Sequence, residues 1–84
     1  MSKRVLKWSI AVDDSVGVVG GGKVVHVASQ NPPYLIEVWT EEFGVEVPRR
    51  VQVFGTGHAI PNGSIHLGSC IAGPFVWHVY EVTA

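Results

Sequence analysis

Along the chain, short runs of β-branched and aromatic residues alternate with polar ones and are bounded by turn residues, the pattern of an all-β domain. Val5 to Val12 sets Leu6, Trp8, Ile10 and Val12 against Lys7 and Ser9, a half-buried strand. Asp13-Asp14-Ser15 turns the chain. Val16 to Val19 and Lys23 to Ala28 flank Gly20-Gly21-Gly22 and predict a hairpin closed by a glycine turn. Asn31-Pro32-Pro33 ends that segment, because proline cannot donate to a ladder. Tyr34 to Glu41 is the next strand, and Glu42-Phe43-Gly44 leads into a run with Pro48 near its start and Phe54 near its end. Ser64 to Ile71 and Phe75 to Val82, separated by Gly73-Pro74, complete the set. No window sustains an apolar helical period beyond two turns. The expectation is one all-β domain over residues 1–84, a small antiparallel sandwich or barrel of six to seven short strands.

Size adds an expectation about assembly. A chain of 84 residues buries a modest fraction of its surface, and Cys70 is its only cysteine, so no internal disulfide can reinforce the core. No Cys/His spacing suggests a structural zinc, and no cofactor is implied. A homo-oligomer is the remaining source of stability. A single cysteine fits a reducing cytosol, and the apolar runs are too short to span a membrane, so a cytoplasmic protein is expected. Six Lys and Arg against seven Asp and Glu exclude a general nucleic-acid binder, which needs a basic surface to displace counterions. A compact anionic ligand held by a few placed groups remains compatible with that balance.

The richest chemistry lies in "RRVQVFGTGHAIPNGSIHLGS", residues 49–69. Pro61-Asn62-Gly63 reads as a hairpin tip. A three-residue loop with Gly63 in the left-handed region pairs Ile60 with Ser64 and sets His58 opposite His66, Thr56 opposite Gly68 and Phe54 opposite Cys70. Arg50, Gln52, Phe54, Thr56, His58, Ser64 and His66 then share one face, and Val51, Val53, Ala59, Ile65, Leu67 and Ile71 the other. A two-residue Asn-Gly turn is the alternative closure, but it joins the apolar parity of one strand to the polar parity of its neighbour. The polar face predicts an anion or nucleotide site: Arg49 or Arg50 pairs with phosphate, the amides of Gly55 and Gly57 with Thr56 cradle it, His58 and His66 donate, and Phe54 stacks on a base. The competing reading is a solvated sheet surface whose hydroxyls and imidazoles satisfy one another.

Other candidates carry less. His26 and His78 lie in apolar strands and read as core or interface histidines. "HVAS" and "HLGS" resemble the paired elements of two-histidine phosphoesterases, but with one residue too many. Ser69 and Cys70 have no adjacent base that the sequence points to, so no enzyme is expected. "GGGK" departs from a P-loop, since a strand follows where a helix is required.

"GGKVVHVASQ", "RRVQVFGTGH" and "PFVWHVYEV" together resemble the blocks of a small protein family of actinobacterial phages and prophages. The resemblance implies an origin and not an activity. Its context suggests a counter-defence factor that sequesters a cyclic-nucleotide or cyclic ADP-ribose immune signal without turnover. Two alternatives stand beside it: a module that docks on a host protein through Trp39, Phe43, Phe75 and Trp77, and a minor virion or assembly protein.

Overall fold

The alternation of apolar and polar positions resolves into seven strands: β1 (Arg4–Ala11), β2 (Gly17–Val19), β3 (Lys23–Ala28), β4 (Leu35–Glu42), β5 (Arg49–Gly55), β6 (Ile65–Ala72) and β7 (Phe75–Glu81). They come from a computed structural model that describes residues 2–30 and 35–83. The expected Asn31-Pro32-Pro33 stop and the start of a strand at Tyr34 lie outside the described residues. Two antiparallel sheets form, a three-stranded one ordered β1-β4-β3 and a four-stranded one ordered β2-β5-β7-β6. The protein is therefore an all-β fold, as its periodicity requires. Among the described residues no helix is long and apolar enough to cross a membrane.

The inward parity of each strand supplies the core. Ile10, Val27, Ile36 and Val38 of the first sheet meet Val19, Val51, Val53 and Val79 of the second. Fully burying one such side chain stabilises by about 1.5–3 kcal/mol. The sheets close on one another at two seams, each marked by a glycine. A Cβ on Gly17 would stand 3.0 Å from Ile10 Cδ1, and one on Gly68 would stand 2.4 Å from Val27 Cγ2. Only a missing side chain lets the backbones approach so far.

Two pairings differ from the sequence expectation. Gly20-Gly21-Gly22 closes no hairpin, because β2 pairs with β5 and β3 pairs with β4. The glycines instead carry the chain between sheets through a narrow gap. A Cβ on Gly22 would fall 1.7 Å from the Glu41 carbonyl oxygen, and the Arg49 guanidinium donates 2.9 Å to the Gly21 carbonyl and also to that of Gly22. The second difference is larger. β5 and β6 do not pair; both pair with β7, one on each side. Phe54 lies opposite His78 and Cys70 opposite Trp77, not opposite each other.

The reason lies in the turns. Gly73-Pro74 is a two-residue connection with Gly73 at φ 60°, and it sets Ala72 directly against Phe75. That closure gives β6 to β7. The turn expected at Pro61–Gly63 does form, with Gly63 at φ 83° and the Ser64 N–H donating 3.3 Å to the Pro61 carbonyl. Its flanks cannot extend as strands, however, since Gly57 at φ 91° breaks the run after Gly55. Residues 56–64 therefore connect two parallel strands by travelling the length of β7.

Candidate functional site

The outward parity of the four-stranded sheet gathers the polar chemistry. Arg50 stands on it beside Val18 of β2. Next come two rows across three strands: Gln52–Tyr80–His66, then Phe54–His78–Ser69. Strict alternation would place His66 and Ser69 on opposite faces. A bulge between His66 and Gly68 absorbs the extra residue, Leu67, and brings both outside.

Within these rows the side chains are hydrogen-bonded in one chain. His66 Nε2 lies 2.8 Å from Ser69 Oγ, Ser69 Oγ 2.7 Å from His78 Nδ1, and His78 Nε2 2.9 Å from Thr56 Oγ1. Neutral imidazoles and hydroxyls satisfy that chain in either direction, each link carrying one proton. Tyr80 contacts both the His66 ring, at 5.1 Å between centroids, and the Phe54 ring, edge-on at 5.9 Å. Phe54 is covered although it faces outward, at 6% exposure. The Arg50 carbonyl accepts the Val82 N–H at 2.9 Å, while its guanidinium has no hydrogen-bond or ion-pair partner among the described residues and the residue is exposed.

The acids lie elsewhere. Glu37, Glu41 and Glu42 belong to β4, Asp13 and Asp14 to the β1–β2 connection, Glu46 to the β4–β5 connection, and Glu81 takes the parity opposite Tyr80. The face thus presents a guanidinium, an amide, hydroxyls and imidazoles with no carboxylate among its described residues. A guanidinium with amide, hydroxyl and imidazole N–H donors suits an anion.

The sequence-derived residues divide into three groups. Arg50, Gln52, Phe54 and His66 share the face as expected, and Thr56 joins it through His78. Arg49 does not: its guanidinium holds the Gly21 and Gly22 carbonyls at the far end of β5. His58 does not stand opposite His66. Its ring Nδ1 accepts the Gly55 N–H at 3.1 Å while the His58 backbone N–H donates to the Gly55 carbonyl, so it belongs to the turn that ends β5. Gly55 and Gly57 stay with that turn and frame no cradle beside Arg50.

Three members were missed. Tyr80, His78 and Ser69 enter because β7 lies between β5 and β6, whereas the apolar sequence around His78 points to a core or interface residue. Its parity with Tyr80 in "VWHVYEV" was the available signal; the strand order that gives it meaning was not. Ser69 does have imidazole neighbours, which local spacing concealed behind the bulge. His26 also faces outward, but on the other sheet, 5.3 Å from Trp39. The aromatics expected to form one docking patch separate, with Trp39 on β4, Phe43 just beyond it and Phe75 and Trp77 on β7. Burial pushes the Cys70 thiol above its ordinary pKa, with Glu37 adding to the effect, which keeps it protonated. No group of three or more potential metal ligands forms among the described residues.

These features define a small two-sheet β domain with one polar, acid-free sheet face. The chain belongs to the family described as domain of unknown function DUF7352, whose model matches residues 1–84. No curated protein and no solved structure matches the chain.

Proposed function

We propose that the protein binds and sequesters a small nucleotide signal, of cyclic-nucleotide or cyclic ADP-ribose type, on the outer face of its four-stranded sheet. The observation that carries this reading is the segregation of charge. A chain with one more acid than base keeps every described carboxylate off the face that holds Arg50, Gln52, His66, Ser69, His78 and Tyr80. Arg50 and His78 stand four residues apart along the strands, about 13 Å at the usual rise, a span suited to a ligand with two phosphates. The phage resemblance supplies the setting, a counter-defence protein acting in the infected cell.

The hydrogen-bonded chain also favours a second reading, a phosphoesterase. Ser69 has a base at 2.7 Å whose other nitrogen is held by Thr56, the relation of a nucleophile, a base and a group that orients it. One experiment separates the two. Thermal unfolding is measured against cyclic di- and trinucleotides and cyclic ADP-ribose isomers, and the ligand is recovered afterwards. A ligand at a hundred times its Kd adds about 2.7 kcal/mol, several degrees for a domain of this size. The sequestering protein shows a selective rise that Arg50→Ala and His66→Ala each remove and His26→Ala does not, with the ligand intact. Cleaved ligand indicates the phosphoesterase. A flat panel removes both readings and leaves a protein partner.

A further inference from the structure

The polar face ends at an open sheet edge, and round that edge Phe75 and Trp77 take the parity of the buried Val79, the other side of β7 from His78. β5 leaves the sheet at Gly55, opposite Trp77, while β7 runs on to Phe75. The side of β7 that faced β5 is therefore uncovered beyond Trp77, where the backbone N–H and C=O of Val76 turn outward with no ladder partner. A cavity of 470 Å³ opens at this step, bounded by Thr56, His58, Phe75, Val76 and Trp77. It falls within the range of small-ligand sites, about 300–1,000 Å³.

We infer that this cavity seats the heterocyclic base of the nucleotide whose phosphate lies on the His66–Ser69–His78 chain. The inference rests on the function proposed above and assigns the base to a place that the sheet face alone does not provide. Four features agree on it. Phe75 and Trp77 stack at 5.5 Å with planes 30° apart, and Phe75 is 54% exposed, so a flat apolar surface is on offer. His58 Nδ1 accepts the Gly55 N–H, so the neutral ring carries its proton on Nε2 and presents a donor. The free edge of β7 offers both donors and acceptors, which is what the edge of a base requires. Thr56 connects the two parts, lining the cavity while its hydroxyl meets His78 Nε2 at 2.9 Å.

The orientation follows from charge. A smaller cavity of 130 Å³ adjoins the first through Gly55, His58 and Trp77, and Asp13 and Asp14 line its far side. Carboxylates repel phosphate and accept from exocyclic amines, so the base points toward Asp13 and Asp14 and the phosphate toward the imidazoles. A base bearing an amino group is preferred.

The test compares 5′-AMP with ribose 5-phosphate by NMR titration of the full chain, following the His66 and His78 ring signals. The expected result is at least about tenfold tighter binding of 5′-AMP, the worth of one stacked base. Phe75→Ala removes that gap and leaves ribose 5-phosphate binding unchanged, whereas His66→Ala weakens both ligands. Equal affinity of the two ligands for the unmodified protein, or a gap that survives Phe75→Ala, overturns the base seat and leaves the phosphate face standing. If neither ligand moves the His66 and His78 signals, the face and the base seat fall together.

Discussion

A single absent Cβ holds the two sheets together at Gly68. Alanine there would drive its methyl into Val27, a buried β-branched side chain with little freedom to turn away. Gly68→Ala is expected to destabilise by about 1–3 kcal/mol, the usual cost of overpacking. In a domain of this size each kcal/mol lowers Tm by about 4–8 °C, which a melting curve resolves. Val27→Ala in the same chain should return part of the loss; an unchanged Tm for the single variant would mean that the seam is looser than described. Gly63 was legible from sequence because its requirement is conformational and local, a left-handed φ beside Pro-Asn. Gly68 was not, because what its side chain would strike is Val27, on another strand.

At the scale of elements, the strands end within a residue or so of where alternation and turn residues place them, except β5, which stops at Gly55 and not at the expected Ile60. Neither hairpin expected from the sequence formed, and the one pairing that a short turn does force, across Gly73-Pro74, is not among the expectations. The hairpin expected for residues 49–69 failed because a correct local turn does not decide which strand lies alongside. Polar parity survived that failure: Arg50, Gln52 and Phe54 face outward in either arrangement, so the face was found with the wrong neighbours. The connection between β4 and β5 shows a different contest, between two carboxyls. The Thr40 hydroxyl chiefly, then the Gly22 N–H, the Glu46 carboxyl and the Arg49 charge, hold Glu42 below its ordinary pKa against the effect of burial. Glu46 is pushed up, by lost solvation first and then by the Glu42 carboxyl. A raised carboxyl binds its proton more tightly in the folded state, so its unfavourable contribution is absent below the unfolded value and grows as pH rises through the folded one. Glu46→Gln is therefore expected to raise Tm at pH 7 and leave it unchanged at pH 4. A lower Tm at pH 7 would mean that the ionised group is favourably held.

For the whole molecule, the surface matters as much as the core. Val45 and Val47 stand fully or almost fully exposed, at 106% and 85%, next to Phe43 at 56%. Three apolar side chains on one connecting segment form a surface that a soluble monomer does not usually present. A homo-oligomer that covers them would meet the stability requirement of a small chain without disulfides. Light scattering is expected to give a multiple of 9.1 kDa, and Val45→Lys with Val47→Lys should reduce it to one copy. A monomeric unmodified protein would assign the segment to another partner.

The proposed function requires that a nucleotide bind on the acid-free face of the four-stranded sheet. The measurement that tests it most directly is an imidazole-resolved NMR titration of the protein with cyclic dinucleotides. Saturable shifts of the His66 and His78 ring signals are expected, with His26 unmoved on the opposite sheet. Saturable binding that leaves His66 and His78 in place, or no binding across the series, would contradict it.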